Sequence, residues 1–164
     1  MAKSARWMAP NSCYSTPPFS VYSAMLSPSR DQARRFFFDA WQKFRAGQPL
    51  SDLEAIALEL MQQHPEYHAI FDSPERYAER DYLPESGEAN PFLHLSLHLA
   101  IREQLPIDQP RGIAAHYRRL LEKTSSAHDA EHLIMDCLGE MIWQAQRQCT
   151  QPDPAVYFEC LEKC

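Results

Sequence analysis

The sequence predicts an all-α protein, and three observations lead to that prediction. Apolar residues recur at spacings of three and four in successive segments, and no stretch alternates apolar with polar residues as half-buried strands do. Thirteen prolines against four glycines favour helices that end cleanly at proline over hairpins. With 164 residues, 45 % of them apolar, the chain has material for one well-filled core. We therefore expect a compact bundle of about five to six helices.

The first predicted helix covers residues 30–46. Ser29 precedes it as an N-cap, and Gly47 follows it as a C-terminal stop. Its sequence carries an aromatic stripe, which we expect in the core or on a dimer face rather than around a cofactor: Phe36, Phe37, Trp41 and Phe44.

The second predicted helix begins with a capping box, in which the Ser51 and Glu54 side chains each satisfy the other residue's backbone amide. Pro65 should end or kink this helix, because proline removes a backbone donor and clashes with the preceding turn. Residues 72–90 contain Pro and Gly breakers without a clear period, so we expect a long connection there, of the kind that often serves as a lid.

Four further helices are predicted, and each is preceded by a residue whose side chain can cap a helix N-terminus. They cover residues 92–105 after Asn90, 110–123 after Asp108, 127–148 after Ser126, and 154–162 after Asp153.

The first 24 residues differ from the rest, because they mix Ser, Pro and isolated hydrophobic residues without a period. We predict a disordered extension over residues 1–24 and a single helical domain over residues 25–164, with Met25 an alternative start of translation. No apolar run has the length of a secretory signal core or of a bilayer span.

Charge and cysteine content restrict the partners and the compartment. The net charge of −6 disfavours binding to nucleic acid, which requires concentrated positive charge. Five cysteines, an odd number with no pair two residues apart, fit neither a disulfide framework nor a zinc knuckle. Cys160 and Cys164 lie four residues apart, close enough to meet on a helix, but we expect both to be reduced thiols. We predict a cytoplasmic protein that binds neither membrane nor nucleic acid and that has a protein partner or forms a homodimer.

The histidines form the pattern that points to chemistry. Six of the seven occur in pairs spaced four residues apart: His64 with His68, His94 with His98, and His128 with His132. Residues one helical turn apart lean to the same side, so the two imidazoles of a pair can reach one ion. Two such helices supply four nitrogens, which is a complete zinc shell or most of an iron site.

Helical phase places His94 and His98 on the apolar face of the third predicted helix, with Leu97 and Ile101. On the fifth, His128 and His132 flank the apolar centre and Glu131 lies nearer to it. A buried carboxylate needs a cation, so we expect Glu131 as the acidic companion, as ligand or as partner of an imidazole N–H. Imidazole ligands suit zinc, iron, copper or nickel, and we name zinc or iron as the candidate ions.

Two alternatives remain open at this point. The same histidines and Glu131 form a purely structural network, or some of them lie on a solvent face. His64 and His68 are the weaker pair, because Pro65 separates them. The pattern also leaves open whether a bound metal is catalytic, as in a hydrolase or oxidase, or structural. The competing hypothesis is a metal-free interaction module that binds a protein through its aromatic first helix and acidic surface.

Three segments of the chain resemble a known family. These are HPEYH from residue 64, NPFLHLSLHLAIREQLPIDQP from residue 90, and HDAEHLIMDCLGEMIWQAQR from residue 128. The chain is similar over residues 25–161 to the bacterial DUF1841 family, whose function is unknown. The resemblance implies a small cytoplasmic bacterial protein and supplies no catalytic residues.

Overall fold

The structure is a computed structural model, which describes residues 30–82 and 88–164. All regular structure in these residues is helical, so the predicted fold class is confirmed. The eight α-helices are α1 (Arg30–Arg45), α2 (Asp52–Gln63), α3 (His68–Phe71), α4 (Pro74–Tyr77), α5 (Pro91–Ile107), α6 (Ile113–Lys123), α7 (Ala127–Gln148) and α8 (Pro154–Lys163).

The predicted count of five to six helices is wrong, because the described residues contain eight. The six longer helices lie where the sequence predicted helices. The additional two, α3 and α4, are single turns of four residues each, and a 3₁₀ turn over Pro65–Tyr67 precedes them. A four-residue helix is too short to show apolar periodicity, so the pattern on which the prediction rested does not detect it.

The described residues divide into two compact units. Residues 30–82 and 88–99 belong to the first unit, and Ala100–Cys164 form the second. In the first unit, α1 packs against α2 and α3, and in the second, α7 packs against α6 and α8. The prediction of one domain over residues 25–164 stays a prediction, and the predicted extension over residues 1–24 lies outside the described residues, as does the Ser29 cap.

Side chains cap the helices largely as the sequence predicts. The capping box at Ser51 is formed, with the Glu54 carboxylate 2.9 Å from the Ser51 amide. Asn90 accepts hydrogen bonds from the first amides of α5, and Ser126 does so at the start of α7. The Asp108 carboxylate accepts from the amides of Gly112 and Ala114, so it caps a helix that starts three residues later than predicted, at residue 113.

The core of the first unit is built from aromatic and aliphatic side chains of α1, α2, α3 and α5. Phe37 and Trp41 of the predicted aromatic stripe are 1 % and 4 % exposed, which confirms their place in the core. Phe44 is 41 % exposed at the end of the same helix. Trp41 also donates its indole N–H to the Asp72 carboxylate over 2.8 Å, which holds the end of α3 against α1.

Part of the predicted connection over residues 72–90 is ordered by one arginine. Arg34 is 3 % exposed, and its guanidinium donates to the carbonyls of Ala78 and Arg80, each over 2.7 Å. Two charge-assisted hydrogen bonds satisfy backbone carbonyls that no helix uses. The chain immediately after α4 is thereby attached to α1. Residues 83–87 of this connection lie outside the described part, and its predicted role as a lid stays a prediction.

The second unit contains a disulfide bond that the sequence analysis did not expect. Cys137 of α7 is bonded to Cys160 of α8, with the two Cα atoms 5.5 Å apart. The prediction of a reduced Cys160 is therefore wrong, whereas Cys164 is a free thiol as predicted. Cysteine spacing along the sequence does not indicate this bond, because it joins residues 23 apart that helix packing brings together.

Among the described residues, no helix combines the length and the apolar character that crossing a membrane requires.

Candidate metal centre

Three histidines of the first unit lie side by side. His64, His94 and His98 each offer a ring nitrogen, and these atoms all lie within 4.8 Å of one another. The ring centroids are 4.7 Å apart for His64 and His94, 4.9 Å for His64 and His98, and 5.0 Å for His94 and His98. His64 and His98 are 2 % and 0 % exposed. Three imidazoles, one from the end of α2 and two from α5, thus share one largely buried place.

Local sequence explains this arrangement. Pro65 ends α2, so His64 becomes its C-cap residue, in a backbone conformation outside the helix. Its Nδ1 lies 2.8 Å from the Leu60 carbonyl oxygen. His94 and His98 lie one turn apart on α5, so their rings lean to the same side. The predicted helical pairing therefore holds for these two histidines.

Hydrogen bonds define the protonation of the His64 ring. A carbonyl oxygen can only accept a hydrogen bond, so Nδ1 of His64 carries a proton and donates a hydrogen bond to the Leu60 carbonyl. In the neutral imidazole, Nε2 of His64 then presents a lone pair. Nε2 of His94 lies 2.9 Å from that atom, which is hydrogen-bond distance. The two nitrogens therefore face each other, and they can share either one proton in a hydrogen bond or one cation as ligands.

Tyr67 forms one side of this cluster. Its ring is stacked on that of His64, with centroids 5.6 Å apart, and it meets the His94 ring edge to face at 5.8 Å. Burial raises the pKa of the Tyr67 hydroxyl, with a smaller contribution from Glu66. Tyr67 was not among the predicted site residues, although it lies inside the HPEYH segment that joins α2 to α3.

His68, the predicted companion of His64, is not brought to the same place. The two residues lie on either side of the 3₁₀ turn, so the regular spacing of one helix does not apply to them. The His68 ring packs on Trp41 with centroids 4.8 Å apart, and its Nε2 lies 2.9 Å from the Met61 carbonyl oxygen. That nitrogen is therefore engaged by backbone.

The other predicted pair lies in the second unit, on α7. The rings of His128 and His132 have centroids 4.3 Å apart, so the pair is as close as helical spacing predicts. A ring nitrogen of His128 and a carboxylate oxygen of Glu131 lie within 4.8 Å of each other. Glu131 is 1 % exposed, which agrees with its predicted inward position.

Glu131 has a cationic partner that the sequence analysis missed. Nε of Arg102 lies 2.6 Å from its carboxylate oxygen. Burial raises the pKa of Glu131, and the positive charge of Arg102 opposes that rise. Arg102 follows His98 by four residues, so the spacing of one helical turn was available as a signal. The predicted partners of Glu131 were a metal ion and imidazole N–H groups, so Arg102 was not among them.

Comparisons with known proteins add a family and no function. The family model described as "Domain of unknown function (DUF1841)" matches residues 29–163. No curated protein matches the chain, and no solved structure does.

Proposed function

Because the chain belongs to the DUF1841 family, whose description states no activity, we propose from geometry that it binds a transition-metal ion through His64, His94 and His98. The observation that carries this proposal is the convergence of three imidazole nitrogens within 4.8 Å. Imidazole is a ligand for zinc, iron, copper and nickel, and we take zinc or iron as the ion.

The distances support a small ion at this place. Two zinc-bound histidine nitrogens, each about 2.0–2.1 Å from the metal, are about 3.3 Å apart at the tetrahedral angle. The Nε2 atoms of His64 and His94 are 2.9 Å apart. The distance between the two Nε2 atoms must therefore increase by about 0.4 Å for both to bind one zinc ion. Small side-chain rotations are sufficient for this change.

The surroundings of His64 also support the proposal. Histidine ligands usually donate their second ring N–H to a carboxylate or a backbone carbonyl, which orients the ring and makes the ligating nitrogen more basic. The Nδ1–H of His64 donates to the Leu60 carbonyl in this way. The ring is therefore oriented before any ion arrives.

Three histidines leave one position of a tetrahedral shell unassigned. A protein ligand there makes a closed structural site, whereas a water there makes an open site suited to Lewis-acid chemistry. We keep the sequence-derived proposal that His128, His132 and Glu131 contribute to metal binding, and that of His68. The test below includes variants of His68 and of His128 together with His132.

The alternative function is a metal-free interaction module. The observation in its favour is the hydrogen bond between His64 and His94, because a histidine network whose polar atoms bond one another needs no ion. Phe44, 41 % exposed at the end of the aromatic helix, offers an apolar contact for a protein partner or a second copy.

Metal analysis of untagged protein purified without chelator separates the two functions. We expect close to one equivalent of zinc or iron per chain, retained through gel filtration. The variant H94A/H98A should lose the metal, while H116Q should keep it, because His116 packs on Phe158 in the second unit. Variants of His68 and of His128 with His132 then show whether those residues contribute ligands.

Thermal unfolding provides the second reading of the same variants. Metal at 100 times its Kd stabilises the wild-type chain by about 2.7 kcal/mol, and the H94A/H98A variant lacks that gain. Equal melting temperatures of wild type with and without added zinc, together with less than one-tenth equivalent of metal, would overturn the proposal and leave the interaction module.

A further inference from the structure

A second group of chemically reactive side chains lies in the second unit. The sulfur atoms of Cys137, Cys160 and Cys164 all lie within 4.8 Å of one another. Cys137 and Cys160 are joined as a disulfide, and Cys164 is a free thiol. A free thiol beside a disulfide has the composition required for thiol–disulfide exchange.

The geometry identifies which sulfur Cys164 meets. Its Sγ lies 3.9 Å from Sγ of Cys137, close to the contact distance of two sulfur atoms. Cys164 also lies 3.5 Å, sulfur to oxygen, from the Cys160 carbonyl one turn earlier. Lys123 of α6 donates to the Cys164 backbone carbonyl over 3.1 Å, which attaches this residue to the end of α6.

Burial separates the three cysteines into two roles. Cys137 is 0 % exposed, so a thiol from solution does not reach it directly. Cys160 on α8 and Cys164, the C-cap residue of that helix, are both half-buried and lie nearer to solvent. The buried sulfur can therefore be shared between two accessible ones.

We propose that Cys137, Cys160 and Cys164 form a thiol–disulfide exchange site, in which Cys137 alternates between disulfides with Cys160 and with Cys164. The Cys164 thiolate attacks Sγ of Cys137, the Cys137–Cys164 bond forms, and the Cys137–Cys160 bond breaks. The electron pair of the broken bond leaves on Cys160, which takes up a proton equivalent to the one lost by Cys164. The exchange is redox-neutral and needs no further reactant.

This site acts on low-molecular-weight thiols and disulfides. Whichever of Cys160 and Cys164 is free at a given moment is the thiol that forms a mixed disulfide with such a molecule. The exposed Cys149 lies on the same unit but is not a member of the group, so the test replaces it by serine to leave only the three grouped cysteines.

The test uses the full-length chain carrying C149S. The protein is equilibrated in a glutathione buffer, its free thiols are alkylated after acid quenching, and it is digested with a protease that cleaves after glutamate. Cleavage at Glu159 and Glu162 places Cys160 and Cys164 on different peptides. We expect the alkyl label on both peptides, and both Cys137–Cys160 and Cys137–Cys164 disulfides by mass spectrometry. Label confined to Cys164 at all times would overturn the proposal.

Variants give an independent outcome. C160S should form the Cys137–Cys164 disulfide when it is oxidised by glutathione disulfide, and C164S should keep the Cys137–Cys160 disulfide. C160S with Cys137 and Cys164 both reduced, or both modified separately by glutathione, contradicts the exchange. Circular dichroism shows whether each variant is folded. If C160S does not fold, the distribution of the two disulfide isomers in the C149S chain tests the exchange without it.

Discussion

The ion pair between Arg102 and Glu131 allows a prediction whose size follows from the structure. In the variant R102M, the thioether side chain retains most of the packing but removes the positive charge. Breaking a buried ion pair by removing one partner costs about 3–5 kcal/mol, because the remaining charge is buried without compensation. Arg102 is 26 % exposed and Glu131 is 1 % exposed, so we expect the lower end of that range, about 3 kcal/mol at pH 7.

The pH dependence of this loss identifies its cause. Removing Arg102 raises the pKa of Glu131 further above its already raised value. At a pH between the wild-type and the variant pKa values, Glu131 is protonated only in R102M. In that range the stability difference between wild type and R102M therefore decreases by about 1.4 kcal/mol for each pH unit of acidification. Below both pKa values Glu131 is neutral in both proteins, so its charge no longer contributes to the stability difference.

The assay is urea unfolding of wild type, R102M and R118M at pH 5 and pH 7, followed by circular dichroism. R118M is the matched control, because Arg118 is exposed on α6. We also expect R102M/E131L to lie within about 1 kcal/mol of wild type, since an apolar pair of similar volume replaces a buried ion pair at little cost. A loss below about 1 kcal/mol in R102M, equal at both pH values, would refute this explanation.

Three further predictions concern stability. Burial raises the pKa of Glu131, so its ionisation opposes folding and wild-type stability should decline as the pH rises from 4.5 toward the raised value; E131Q should flatten this decline in urea unfolding, and an unchanged slope contradicts it. S51A should cost about 1 kcal/mol by losing its cap, while S73A should cost little because Ser73 caps α4 without a side-chain hydrogen bond; equal losses would argue against the capping box. R34M should cost about 3 kcal/mol and speed amide exchange at Arg80, whereas the exposed R45M should do neither.

The sequence predicted the long helices well because their signals are local. Caps such as Asn90 and Ser126, and breakers such as Pro65, act within a few residues of the helix end that they define. The single-turn helices α3 and α4 were missed, because four residues contain one turn of pattern at most.

The candidate site was only partly predictable. Spacing of four within one helix correctly brings His94 to His98 and His128 to His132. The same spacing does not bring His64 to His68, because the 3₁₀ turn between them changes the direction of the chain. The His64 ring contacts His94 instead.

Pairings between distant segments account for the remaining surprises. Arg102 with Glu131 and Cys137 with Cys160 each join residues 23 or more positions apart on neighbouring helices. Helical periodicity states which face of a helix is apolar, but it does not state which residue of another helix lies opposite. These partners therefore required the three-dimensional structure.

The most direct test of the metal proposal reads the individual imidazole nitrogens. In the chain labelled with ¹⁵N-histidine, two-bond proton–nitrogen spectra are recorded before and after one equivalent of zinc. We predict that Nε2 of His64 and of His94 and one ring nitrogen of His98 shift to metal-bound values, while Nδ1 of His64 keeps its proton for the Leu60 carbonyl. Spectra in which none of these three rings changes would contradict metal binding by the cluster.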